Sequence, residues 1–168
     1  MKKTGYAAPA APAKAEFSQL RIAIVATRWN TGVVESLVAG AQQCLAEWGV
    51  GRGTLMYAPG AYEVPLAVEL LARSRRYDGV IALGAVIRGD TPHFDFVAGE
   101  CARGMQNVAL RHGLPLGFGV LTVNTAKQAA ERAKAGRSNK GYEAAAAMLE
   151  MVRFKRQAAP AAGMRGQA

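Results

Sequence analysis

"ALGAVIRGDTPHFDFV" (residues 82–97) decides the fold, because it holds the end of a strand, a loop and the start of a helix in one short stretch. Its first half belongs to "YDGVIALGAVI" (77–87), a continuous apolar run without polar alternation, as in a strand buried on both faces. Such a strand sits inside a parallel sheet covered by helices. Arg88, Gly89, Asp90, Thr91 and Pro92 then break the run, and "PHFDFVAGECARGMQNVALRHG" (92–113) continues at helical spacing. Gly89 is expected to adopt a backbone geometry closed to other residues, Thr91 to cap the helix, and Pro92 to open it. Free N–H groups at that helix start, joined by a threonine hydroxyl, would make an anion cradle. An ordinary strand-to-helix turn would use the same residues, and local pattern leaves both readings open.

Outward from this stretch the order repeats. "LRIAIVATR" (20–28) is followed by "TGVVESLVAGAQQCLAEWG" (31–49), in which Val33, Val34, Leu37, Val38, Ala41, Leu45 and Trp48 recur at helical spacing. "GTLMYAPG" (53–60) precedes "AYEVPLAVELLARS" (61–74), "LPLGFGVLTV" (114–123) precedes "TAKQAAERAKA" (125–135), and "NKGYEAAAAMLEMVRFKRQ" (139–157) closes the series. Strands alternating with helices imply an α/β fold, a four-stranded parallel sheet joined by right-handed crossovers with helices on both faces. Ligands in such sheets bind beyond the carboxyl ends of the strands.

Composition bounds the rest. The 168 residues, 51% of them hydrophobic, suit one domain with a core of its own. The Ala/Pro-rich segment 1–16 and the stretch 158–168 have few large apolar residues and read as flexible tails around a domain over 17–157. Net charge is +9, but Lys2, Lys3 and Lys14 against Glu16 put +2 at one end, and Arg153, Lys155, Arg156 and Arg165 put +4 at the other. The remaining +3 forms no basic face interleaved with aromatics, so no specific nucleic-acid partner is expected. No apolar run is long enough for a membrane span, and the N-terminus has no apolar core of a secretory signal, so a cytoplasmic protein is expected. Cys44 and Cys101 form no CxxC pair and lie near no histidine cluster; they read as buried thiols, with no metal site.

A polar cluster follows each of the four strands: Arg28 to Asn30, Pro59 to Glu63, Arg88 to His93, and Leu121 to Asn124. His93 would stand in the first helical turn, where the dipole disfavours imidazolium and leaves a ring able to accept a proton. His112, before Gly113, is explained by a helix C-terminus. Trp29 after the first strand offers a stacking face, or else fills the core. Glu63 can accept bonds from vicinal hydroxyls, or merely favour a helix start. Arg132, Lys134, Arg137 and Lys140 crowd a helix break in "AERAKAGRSNKG" (130–141), where Arg132 suits phosphate and a solvated charge run is the plainer alternative.

"RWN" (28–30), "APGAYEVPLA" (58–67), "GAVIRGDTPHFDFV" (84–97), "GFGVLT" (117–122) and "ERAKAGRSNKGYEAA" (131–145) together resemble the 6,7-dimethyl-8-ribityllumazine synthase family, in order and spacing, over about residues 17–152. The resemblance implies a flavodoxin-like three-layer α/β/α fold. It also implies a cofactor-free transferase reaction of riboflavin biosynthesis, in which 5-amino-6-(D-ribitylamino)uracil condenses with 3,4-dihydroxy-2-butanone 4-phosphate. Carried over by motif, Trp29 stacks on the pyrimidine, bordered by Asn30, Ala61, Val86 and Ile87, while Tyr62 and Glu63 hold the ribityl chain. Gly89, Asp90 (through its backbone) and Thr91 match the phosphate loop, and His93 matches the general acid/base. Phe118, Arg132 and Lys140 match residues given by a neighbouring subunit, Arg132 to the phosphate and Lys140 near the pyrimidine. The family forms pentamers, some assembled into decamers or sixty-subunit icosahedral shells.

Three positions depart from the family pattern. Trp29 and Tyr62 replace phenylalanine, and "KAGRSNKG" (134–141) puts Gly136 where a lysine is frequent, with Lys134 and Arg137 as the charges nearby. Two other readings compete: a non-catalytic flavin- or lumazine-binding scaffold of the same fold, and a flavodoxin-like FMN carrier. The carrier would need a Ser/Thr-rich phosphate loop after the first strand, which "ATRWNTG" (26–32) lacks.

Overall fold

The computed structural model describes residues 6–12 and 16–159. Four strands, β1 (Ile22–Thr27), β2 (Thr54–Ala58), β3 (Gly79–Ile87) and β4 (Leu116–Val123), form one parallel sheet in the order β2-β1-β3-β4. The central strands β1 and β3 are buried almost throughout, as their unbroken apolar runs require; β2, an edge, is largely open. Helices α1 (Thr31–Glu47), α4 (Ala126–Arg132) and α5 (Lys140–Ala158) cover the sheet face carrying Ile22, Ile24, Ile81 and Leu83. Helices α2 (Val64–Ser74) and α3 (His93–His112) cover the face carrying Ala23, Val25, Val80 and Ala82. The layers are therefore α/β/α, and strand alternation sorts the core into two clusters.

Helix α1 buries Val34, Leu37, Ala41 and Leu45, with Trp48 just beyond its end, while Val33 and Val38 lie at the margin of that stripe. Truncating Leu37, which is 0% exposed, to alanine would cost about 2–5 kcal/mol. Helix α5 meets α1 through Asn139, which is 1% exposed. Its Oδ1 accepts from the N–H groups of Gly141 and Tyr142, and its Nδ2 donates to the carbonyls of Ala133 and Ser36. Beside it the backbone of Gly141 lies against the Leu37 carbonyl so closely that a Cβ there would collide with it.

Of the segment read as an N-terminal tail, residues 6–12 lie against the domain: Ala8 and Ala11 pack on the α1/α5 core, and the Tyr6 hydroxyl donates to Glu150 at 2.8 Å. Cations counted at the C-terminal end are engaged as well. Arg153 makes two bonds to the Glu16 carboxylate, Arg156 donates to the Glu16 carbonyl, and Lys155 donates to the carbonyl of Gly113 at the end of α3. Ala158, read as the start of the closing tail, ends α5; Arg165 and the rest of 160–168 lie outside the described residues. Both cysteines are buried free thiols; burial pushes Cys44 up to about 12 and Cys101 up to about 11. Among the described residues no helix is long and apolar enough to cross a membrane.

Candidate active site

The loops after β1, β2 and β3 converge above the sheet around an open crevice of about 610 Å³. Its position follows from the strand order. The chain leaves β1 into α1 on one face and leaves β2 and β3 into α2 and α3 on the other, so adjacent loops part and expose the strand ends between them.

Each wall has a local cause. Asn30 adopts the left-handed conformation (φ 58°, ψ 47°), which asparagine tolerates better than most residues. Its Nδ2 donates to the Ala85 carbonyl at 2.9 Å, which ties the β1 loop to β3, and Trp29 beside it stands 72% exposed over the crevice. The core alternative for this tryptophan is thereby excluded. Gly60 lets the second loop pass beneath the indole: a Cβ there would meet Glu63 Oε2 at 3.1 Å and Trp29 Cδ1 at 3.4 Å. A short 3-10 turn (Ala61–Glu63) then presents Tyr62 and Glu63 to the same space. Val86 and Ile87 at the end of β3 form the apolar back, and Gly89, Thr91 and His93 line the third side.

The third loop departs from expectation in three ways. Helix α3 begins at His93 with Pro92 as its cap residue, and Thr91 makes no capping hydrogen bond, so its hydroxyl is not spent on the helix. Gly89 is not in the left-handed region, and a Cβ there would meet nothing within 4 Å. What glycine provides at this position is room beside the backbone. Asp90 is exposed on the loop but does not line the crevice. The loop is held instead by a pair that local pattern did not reveal. Arg88 binds both oxygens of Asp95, at 2.8 and 3.2 Å, and stacks over Phe94 with 4.1 Å from its guanidinium carbon to the ring centroid. The Arg88 guanidinium holds the Asp95 carboxyl below the usual carboxylate range. Phe94, Phe96 and Val97 complete the lining from α3, as the i, i+3 spacing of 94 and 97 could have indicated.

Phe118, Arg132 and Lys140 lie elsewhere. They line a second hollow of about 520 Å³ along the β4 edge, together with Tyr6 and Glu143. Arg132 ends α4 and donates to the Gln128 carbonyl, and Lys140 pairs with Glu143. Arg137 belongs to neither hollow. It donates to the Tyr142 hydroxyl at 3.0 Å and to the Pro9 carbonyl, and Tyr142 donates in turn to Glu47 at 2.6 Å, so this guanidinium braces α5 against α1. Gly136 is left-handed (φ 110°), a conformation a lysine would adopt only with strain. His112 ends α3 ahead of left-handed Gly113, as expected, and also contacts Glu69 at 2.9 Å. No group of three or more potential metal-ligating side chains occurs among the described residues.

The family model for 6,7-dimethyl-8-ribityllumazine synthase matches residues 19–156. The chain belongs to this family. A 6,7-dimethyl-8-ribityllumazine synthase of Nitratidesulfovibrio vulgaris Miyazaki F is 53% identical over 140 residues, covering 82% of this chain and 90% of the relative. The enzyme of the same name from Desulfovibrio desulfuricans is 49% identical over the same shares. The lumazine synthase motifs thus include both hollows: the crevice holds the residues after β1, β2 and β3, and the β4 edge holds the remainder.

Proposed function

We propose that this chain condenses 5-amino-6-(D-ribitylamino)uracil with 3,4-dihydroxy-2-butanone 4-phosphate to 6,7-dimethyl-8-ribityllumazine, releasing phosphate and water. The observation that carries the reading is the meeting of a stacking ring (Trp29), an amide (Asn30), a carboxylate (Glu63), an uncommitted hydroxyl (Thr91) and an imidazole (His93) around one crevice. A planar heterocycle, a polyol and a phosphorylated ketone each find a group of fitting chemistry there.

The pyrimidine stacks on Trp29 against Val86 and Ile87, its ribityl hydroxyls donate to Glu63, and the phosphate takes the N–H group of Gly89 with the Thr91 hydroxyl. The amine on the pyrimidine then attacks the ketone carbon, the carbonyl oxygen leaves as water, and an imine forms. Loss of a proton beside the imine expels phosphate. The enol left behind takes a proton at its terminal carbon and becomes a ketone, and the ribityl-bearing nitrogen attacks that carbonyl and closes the second ring with loss of a second water. His93 accepts and returns the protons, a contribution of about 10²- to 10⁴-fold, while holding the two substrates together supplies much of the remaining rate.

The β4-edge residues belong to a neighbour's reaction. Arg132 and Lys140 reach the crevice of an adjacent subunit in a cytoplasmic homo-oligomer, for which a pentamer is the smallest working unit, with Phe118 closing over the ring. Exposed Leu66, Leu70, Leu110 and Phe154, each at least 59% open, support burial of these faces by other copies. Mixing the two substrates with the purified protein and following lumazine absorbance tests the reaction; absence of product overturns it. Sedimentation velocity separates a pentamer from a decamer and from a sixty-subunit shell.

A further inference from the structure

At the floor of the crevice, β1 ends on a side chain that the reaction above leaves unused. Ala23 and Val25 face the α2/α3 layer, and alternation along the strand turns Thr27 to that same side, one step nearer the opening. Thr27 lines the crevice yet is 2% exposed, and its Oγ1 has no protein hydrogen-bond partner among the described residues. The neighbouring strand makes room for it. A Cβ at Gly84 would stand 3.0 Å from both Thr27 Oγ1 and Cγ2.

A buried hydroxyl without a partner is less stable than an apolar group of the same shape, and valine offers that shape. The other such atom among the described residues, Trp48 Nε1, belongs to a large ring packed on Phe17 in the α1/α5 core, where the ring's bulk explains its presence. Thr27 has no comparable excuse, since its hydroxyl is the only thing that distinguishes it from valine there.

We infer that Thr27 determines specificity for the heterocycle: its hydroxyl, enclosed beside Gly84, turns to pair with the polar edge of the pyrimidine when the ring lies under Trp29. The inference rests on the proposed reaction. A pyrimidinedione edge carries both N–H donors and carbonyl acceptors, and a hydroxyl is a small side-chain group that serves either. An apolar ring of equal size would gain nothing from Thr27, so the crevice favours the pyrimidine over it.

Thr27→Val removes the hydroxyl and keeps the shape, while Thr27→Ser keeps the hydroxyl. Four quantities decide the matter: the Kd for 5-amino-6-(D-ribitylamino)uracil alone by titration calorimetry, the KM for each substrate, and the unfolding temperature without substrate. Thr27→Val is expected to raise the pyrimidine Kd and KM by about 5- to 50-fold, leave the ketone-phosphate KM unchanged, and not lower the unfolding temperature. Thr27→Ser should stay within about threefold of the unaltered protein. An unchanged pyrimidine Kd in Thr27→Val overturns the inference. So does a lowered unfolding temperature with both KM values rising together, which marks a packing role. If the unaltered protein binds the pyrimidine but forms no lumazine, the proposed reaction fails and the Kd comparison still decides Thr27. If it does not bind the pyrimidine, both fail.

Discussion

The two hollows of this molecule differ in how they are built. The crevice over β1, β2 and β3 is walled on three sides by short loops, the first tied down by the Asn30–Ala85 bond and the third by the Arg88–Asp95 pair. The hollow along β4 has cations and an aromatic, and Phe118 stands 45% exposed on an edge strand. The first resembles a binding site lacking a strong cation for phosphate; the second supplies cations without a site. Under the proposed reaction the difference is one of division of labour, in which each chain receives in one place and donates in another.

The sharpest attempt to break this contrast is His93→Ala, expected to lower kcat by about 10²-fold or more with both KM values little changed, as read by steady-state lumazine formation. Arg132→Ala should act differently, raising the ketone-phosphate KM by about 10- to 10²-fold with a smaller effect on kcat. Unfolding and refolding the two variants together should restore activity, because roughly a quarter of randomly formed boundaries would unite an intact crevice with an intact arginine. No recovery would mean that the hollows do not serve one another. Trp29→Ala should weaken the pyrimidine by about tenfold and leave the phosphate substrate alone.

The smallest effect concerns the loop brace. Because Arg88 depresses the Asp95 carboxyl, the pair's contribution is complete above the usual carboxylate range and is lost as pH falls through the depressed value. At neutral pH, Asp95→Asn should therefore raise the ketone-phosphate KM by about twofold, the modest effect of an exposed pair. A loss as large as that of Arg132→Ala would show that the loop itself collapses.

Much of this was legible in the residues alone. The unbroken apolar runs of β1 and β3 marked the buried centre of the sheet, and the polar clusters following β1, β2 and β3 marked the crevice, because chain direction in a parallel sheet sends those ends the same way; the loop after β4 does not line it. Thr91 and Gly89 were misjudged for a common reason. Capping and left-handed turns are local rules, whereas this loop is held by Arg88 reaching past them to Asp95. The roles of Arg137 and Tyr6 were out of reach of local pattern, since their partners Pro9 and Glu150 lie more than a hundred positions away along the chain.

The contact between Gly141 and the Leu37 carbonyl has no slack, and Lys140 is the preceding residue. One methyl group at 141 would have to pry two helices apart and would swing the adjacent ammonium off its aim. The reach of a charge that the proposed reaction lends to another chain is thus gauged by the thickness of a backbone on the far side of the sheet.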